Sequence, residues 1–156
     1  MARKVFFSFD YDDIWAVNVV RNHFVTKGGY LAAGYIDKAD FEEIKRKGDD
    51  AIKRWIDKQM EDTSVTVVLI GENTYKSKWV QYEIQKSLER KNGLLGIYIH
   101  EIRDPNQPAK EKGLNPFVSF YSTYPQLKVR TYNWISDDGY NNFSTWVEEA
   151  AKKVGR

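Results

Sequence analysis

A three-layer α/β fold, with a mostly parallel five-stranded sheet covered by helices on both faces, is predicted by three features of the sequence. Short apolar runs of strand type alternate with segments of helical period along the chain. One of those runs, Val65 to Ile70, is β-branched and apolar enough to lie at the centre of a doubly covered sheet. The tail places Phe143, Trp146, Val147, Ala150, Ala151 and Val154 on one stripe of a helix, at the cleanest period in the chain.

Val5 to Phe9 is an apolar, aromatic run ended by acids, and reads as a first strand buried on both faces. From Ile14 to Phe24, Val17, Val20 and Phe24 recur at helical spacing, and Gly28-Gly29 follows as a stop. Leu31 to Ile36, with Gly34 inside it, is a short second strand. A brief helix at Phe41 to Lys47 precedes a firmer one, in which Ile52, Trp55, Ile56 and Met60 follow Asp49-Asp50; these acids suit the helix dipole. After the central strand, Val80, Ile84 and Leu88 mark a helix that Ser77 can cap and Asn92-Gly93 ends. Leu94 to Ile99 and Val129 to Trp134 complete the strands, and Asp137-Asp138-Gly139 forms a turn or cap before the last helix. Crossovers between such strands are right-handed, which gives a flavodoxin-like outline. In these sheets ligands bind beyond the carboxyl ends of the strands, so the residues just after Phe9, Ile36, Ile70 and Ile99 matter most.

At 156 residues, residues 1–156 form one domain, which buries about 70% of its extended-chain surface on folding. There is no cysteine, which excludes disulfides, thiolate metal sites and a cysteine nucleophile, and fits a cytoplasmic protein. The stretch from Met1 to Phe9 does not read as a signal peptide, and no apolar run approaches the ~20 residues of a membrane span. A net charge of +2 is too balanced for a broad phosphate-binding face, so neither nucleic acid nor membrane is expected as a partner. The segment from Glu101 to Pro125 carries all four prolines and reads as a long loop, a candidate lid.

Several chemistries are excluded by missing motifs. Asp10, Asp12 and Asp13 do not make up a complete phosphorelay site, because Ile70 is followed by Gly71-Glu72-Asn73-Thr74 and not by an aspartate; for Asp12 and Asp13, helix capping and dipole compensation are the better reading. No G-x-G-x-x-G, Walker A or G-x-S-x-G sequence occurs. His23 and His100 lack metal-ligand spacing, and no metal is expected. His100, Glu101 and Asp104 could converge on one edge, but read as a solvated cluster. The most informative segment is Ser77 to Ile84. On a helical wheel Trp79 and Glu83 lie one turn apart, on the flank of the Val80, Ile84, Leu88 stripe, where they could line a cleft with an aromatic platform and one carboxylate. Taken by itself this two-residue pattern arises often by chance, and spacing alone favours a surface glutamate beside a half-buried tryptophan.

Taken together, Val5-Phe6-Phe7-Ser8-Phe9, Thr63 to Gly71, Trp79-Val80-Gln81-Tyr82-Glu83-Ile84 and Trp134 to Phe143 with Trp146 resemble the TIR-like family, and more closely the TIR-like proteins of the bacterial Thoeris anti-phage defence system. The resemblance runs nearly end to end and implies a TIR-like fold. It also implies an enzyme that cleaves the nicotinamide–ribose bond of NAD, which is substrate and not cofactor. The family's catalytic glutamate falls on Glu83, with Trp79 beside it, and Ser8, Phe9 and Asp10 shape the nicotinamide–ribose end of the pocket. Lys76 and Lys78 are close enough in sequence to meet the pyrophosphate, an inference from position and not a family motif. The Thoeris resemblance implies a cyclic ADP-ribose isomer that diffuses to a separate effector, which depletes NAD in abortive infection. Self-association is a further expectation. Asp37-Lys38-Ala39-Asp40-Phe41 departs from the Arg-Asp and Pro-Gly pattern of receptor TIR domains, and Asp10 stands where several enzymatic relatives carry a basic residue. Two other readings stay open: a non-catalytic TIR-like interaction module, and a nucleoside deoxyribosyltransferase-like enzyme.

Overall fold

The computed structural model describes residues 3–26 and 29–156. Its element order is β1 (Arg3–Ser8), α1 (Ile14–Thr26), β2 (Tyr30–Ala33), α2 (Lys38–Arg46), α3 (Asp49–Met60), β3 (Val65–Ile70), α4 (Lys78–Glu89), β4 (Gly93–Tyr98), β5 (Arg130–Asn133) and α5 (Gly139–Lys153). Gly28, expected to help stop α1, lies outside the described residues. The five strands form one sheet in the order β2-β1-β3-β4-β5, and every pairing is parallel rather than most of them. The register sets Ser8 beside Val68 and Ile70 beside Tyr98, so β1 ends lower on the sheet than β3 and β4 and leaves a recess above its last residue.

Strand alternation assigns the two faces. Val5 and Phe7 point with Val67, Leu69 and Ile97 toward α1 and α5, whose Val17, Val20, Phe24, Phe143 and Val147 complete that core. Phe6 points the other way, toward Ile52, Ile56 and Met60 of α3, and Val68 and Ile70 meet Val80 and Ile84 of α4 on the same side. All six residues of β3 are buried, as a parallel strand covered on both faces requires.

Several boundaries differ from the sequence expectation for local reasons. The second strand stops at Ala33 because Gly34 takes a φ of +82°, and α2 begins at Lys38, three residues early, because Asp37 accepts a hydrogen bond from the Asp40 N–H. Ser77 caps α4 as expected, accepting from the Val80 N–H. Asn92-Gly93 does not end that helix: Lys91 takes the left-handed conformation, Asn92 donates to Thr63, and Gly93 opens β4. Asp12 and Asp13 lie in the first helical turn after β1, as dipole compensation expects, but neither is its cap. Asp10 holds that position, accepting from the Asp12 N–H, while Asp13 is buried against Lys110 at 2.8 Å. Val154, expected on the buried stripe of α5, is its exposed carboxyl-terminal cap.

The Glu101 to Pro125 segment is fastened down along its length. Lys110 bonds Asp13 and the Asp12 carbonyl, Phe117 is fully buried beside Ile84, and Ser119 donates to Gln81. At Gly113 a side chain is impossible, since a Cβ there would lie 2.1 Å from the Gly71 carbonyl oxygen. The segment therefore covers the end of β3 and the outer side of α4, and is no open lid.

Candidate active site

Phe6 and Ser8 are two residues apart on β1, so Ser8 points to the same face as Phe6, toward α4. On α4 the buried positions are Val80, Glu83, Ile84 and Ser87, a stripe of i, i+3, i+4 and i+7. Glu83 thus sits inside the stripe and not on its flank, which corrects the sequence expectation. The reason is polar: Ser87 is buried by bonding Thr66 and the Glu83 carbonyl, and Glu83 is buried by accepting a 2.7 Å hydrogen bond from the Ser8 hydroxyl. Apolar counting sees none of these bonds.

Glu83 is buried, with 6% of the residue exposed. Burial pushes its pKa up to about 8, and the hydrogen bond from Ser8 pulls the other way. Near neutral pH the resting side chain is therefore largely the protonated acid. A fully buried carboxyl with no cationic partner is costly to keep ionised, and such groups concentrate where their chemistry is used.

Beyond the end of β1 lies a cleft of about 270 Å³, lined by Phe9, Asp10, Tyr11, Lys38, Phe41, Lys45, Ser77 and Trp79 among others. Tyr11 stacks on Phe41 at 4.5 Å between ring centroids and donates to the Ile36 carbonyl. Burial raises the Tyr11 hydroxyl pKa, with the neighbouring Glu83 charge adding to the rise. Trp79 packs edge-on to Tyr82 at 5.9 Å, against the core under α3. The arrangement is an aromatic-walled recess whose lining also carries Asp10, Asp12 and Glu42, with the buried Glu83 close to Tyr11.

Of the residues singled out from sequence, the structure brings Phe9, Asp10 and Trp79 to the cleft and joins Ser8 to Glu83, both buried and outside its lining. Lys76 and Lys78 are not in the lining. Lys78 is held in an ion pair with Asp49 and lies over the Trp79 ring at 4.9 Å, and Lys76 lies over the Tyr75 ring. The cations in the lining are Lys38 and Lys45, which sequence reasoning missed. The position of Lys38, just past the second strand's carboxyl end, is the signal that could have found it. His100 and Glu101 approach only to 3.7 Å, Glu101 is taken by Asn133, and Asp104 caps its own turn at Asn106. His23 stacks on Tyr140. Among the described residues no group of three His, Asp or Glu side chains is placed to hold a metal. No described helix is long and apolar enough to cross a membrane.

Comparison with known proteins adds two findings. The family model of "Thoeris protein ThsB, TIR-like domain" matches residues 6–104. A protein of Bacillus cereus (strain MSX-D12) named "Putative cyclic ADP-D-ribose synthase ThsB1" is 38% identical over 191 residues, covering 94% of this chain and 100% of that protein.

Proposed function

The chain belongs to the TIR-like family of Thoeris ThsB proteins, and from that premise we propose that it cleaves the nicotinamide–ribose bond of NAD and closes the ADP-ribosyl product into a cyclic isomer. The observation that carries this reading is the buried Glu83–Ser8 pair behind an aromatic cleft at the end of β1. A topologically favoured recess, a perturbed carboxyl and a ring-stacking wall converge there.

In the reaction, the bond between the ribose anomeric carbon and the pyridinium nitrogen breaks with its electron pair going to the nitrogen. Nicotinamide leaves as a neutral ring and needs no acid to protonate it. The ribose carries the developing positive charge, and a carboxylate close to it stabilises that charge where water is excluded. Glu83 is that group. The pyridinium cation of incoming NAD favours the ionised form of Glu83, so substrate binding itself shifts the side chain from acid to carboxylate. Ser8 holds the carboxyl oxygen in place. A hydroxyl or ring nitrogen of the adenosine half then attacks the anomeric carbon, and where a hydroxyl attacks, Glu83 takes the released proton. Trp79 and Phe9 supply apolar walls for the nicotinamide, and Asp10 contacts the ribose end. Because Glu83 is 6% exposed, the wall in front of it has to shift as NAD enters. The cyclic product is read as a diffusible signal to a separate effector, in the cytoplasm.

The test is mass spectrometry of small molecules from cells carrying wild type or Glu83→Gln, with and without phage, then of purified protein with NAD. A cyclic ADP-ribose isomer formed by the wild type and absent from the variant is expected. Product from Glu83→Gln removes the catalytic role. No NAD-derived product even in infected cells leaves the interaction-module reading, and processing of deoxynucleosides with NAD ignored leaves the transferase reading.

A further inference from the structure

We infer that a second cleft, on the opposite side of the loop after β1, binds the adenosine diphosphate half of the dinucleotide, with Lys38 at the junction beside the pyrophosphate. This rests on the reading of NAD as substrate. The second cleft is also about 270 Å³ and lies between the start of α1 and the loop after β4, at the carboxyl ends of the strands. Its lining includes Trp15, His100, Arg103 and Gln107. Three residues, Tyr11, Asp12 and Lys38, line both clefts. They form a shared wall between the two recesses.

Size makes the first part of the argument. Each recess falls just below the roughly 300–1,000 Å³ of small-molecule sites, so neither encloses a dinucleotide, whereas the two joined fall within that range. Nicotinamide riboside at the Glu83 end fills the first, which leaves the adenosine half to cross Tyr11 and Lys38.

Chemistry makes the second part. Of the acids of the second cleft, Asp13 is paired with Lys110, while Asp104, which accepts from the Asn106 N–H, and Asp12, exposed at the rim, have no ion-pair partner among the described residues and offset part of the positive charge. Of its cations, Lys110 is consumed by Asp13 and the Asp12 carbonyl, while Lys38 and Arg103 are exposed, Arg103 donating only to the Gln107 carbonyl at 3.5 Å. Trp15 keeps 41% of its surface exposed in the first turn of α1. A solvent-facing indole beside two exposed cations suits an adenine ring followed by phosphates.

The experiment follows tryptophan indole resonances in the intact Glu83→Gln protein, which does not consume substrate. It is titrated with NAD, with ADP and with nicotinamide mononucleotide, alongside added Trp15→Ala, Trp15→Phe and Arg103→Ala changes, each first checked for an unchanged fold by circular dichroism. Expected are shifts of Trp15 by NAD and ADP but not by the mononucleotide. Trp15→Ala and Arg103→Ala should each weaken NAD and ADP about tenfold without altering the mononucleotide, and Trp15→Phe should restore most of the loss. If NAD shifts Trp79 while Trp15 stays still and the Trp15 and Arg103 variants bind NAD normally, the second cleft is not the adenosine site, although the NAD reading stands. If neither NAD nor the mononucleotide shifts Trp79, the NAD reading falls and this inference falls with it.

Discussion

Glu83 carries opposite demands on stability and on chemistry. Its carboxyl is neutral when buried, with a pKa raised from 4.5 to about 8. The folded state therefore binds more protons at this site than the unfolded chain between those values. Stability contributed by the neutral form is fully present below about pH 4.5 and is lost as pH rises through about 8. Each pH unit inside that window costs up to about 1.4 kcal/mol. Glu83→Gln keeps an oxygen to accept from Ser8 and removes the titration, so its urea denaturation should show a flatter pH profile and equal or higher stability at pH 8. In the same protein, NAD cleavage should fall by about 10²–10³ or more, the scale of losing a transition-state electrostatic contact. Ser8→Ala removes the one bond that favours the carboxylate. The pH at which activity appears should move upward, read as an alkaline shift of the kcat/KM profile. The position of Glu83 was legible only through the family motif. The helical wheel ranked it as flank, because a wheel scores apolarity and the two bonds that bury this face, Ser8 to Glu83 and Thr66 to Ser87, join different elements.

At the scale of elements, most strands and helices were legible because each carries its own period, and the ends were not because caps decide them. Asp37, Gly34 and Lys91 fix boundaries through one backbone conformation or one hydrogen bond each. The long proline-containing segment shows the same limit. Its composition says loop, whereas Lys110 on Asp13 and Phe117 in the core make it a fixed cover. Lys110→Ala leaves Asp13, 6% exposed, without its cation. The expected cost is about 2–4 kcal/mol by urea denaturation at pH 8, and it should shrink as pH is lowered, because burial raises the Asp13 pKa and proton uptake relieves the unpaired charge. Gly93 begins β4 under α5, and a Cβ there would sit 2.4 Å from the Ala150 carbonyl oxygen. Gly93→Ala should therefore destabilise by about 1–3 kcal/mol, with a lowered urea midpoint as the readout.

For the whole molecule, the proposed binding of NAD is linked to folding, since the recess proposed to take it exists only when β1, α2 and α4 are assembled. With Glu83→Gln to prevent turnover, NAD at 100 times its Kd should add about 2.7 kcal/mol and raise Tm by roughly 5–11 °C. An unchanged Tm at millimolar NAD would count against the site. The sequence by itself determined the α/β class, the doubly covered central strand and the identity of the acid to test, because periodicity and short motifs are local properties of the chain. Tertiary structure alone decided which groups share the cleft. It buried Glu83 on Ser8 across 75 positions, exchanged Lys76 and Lys78 for Lys38 and Lys45 in the lining, and tied Asp13 to Lys110 across 97. These are contacts between elements distant along the chain, fixed by strand register and helix packing, and none is written in the spacing of any one segment.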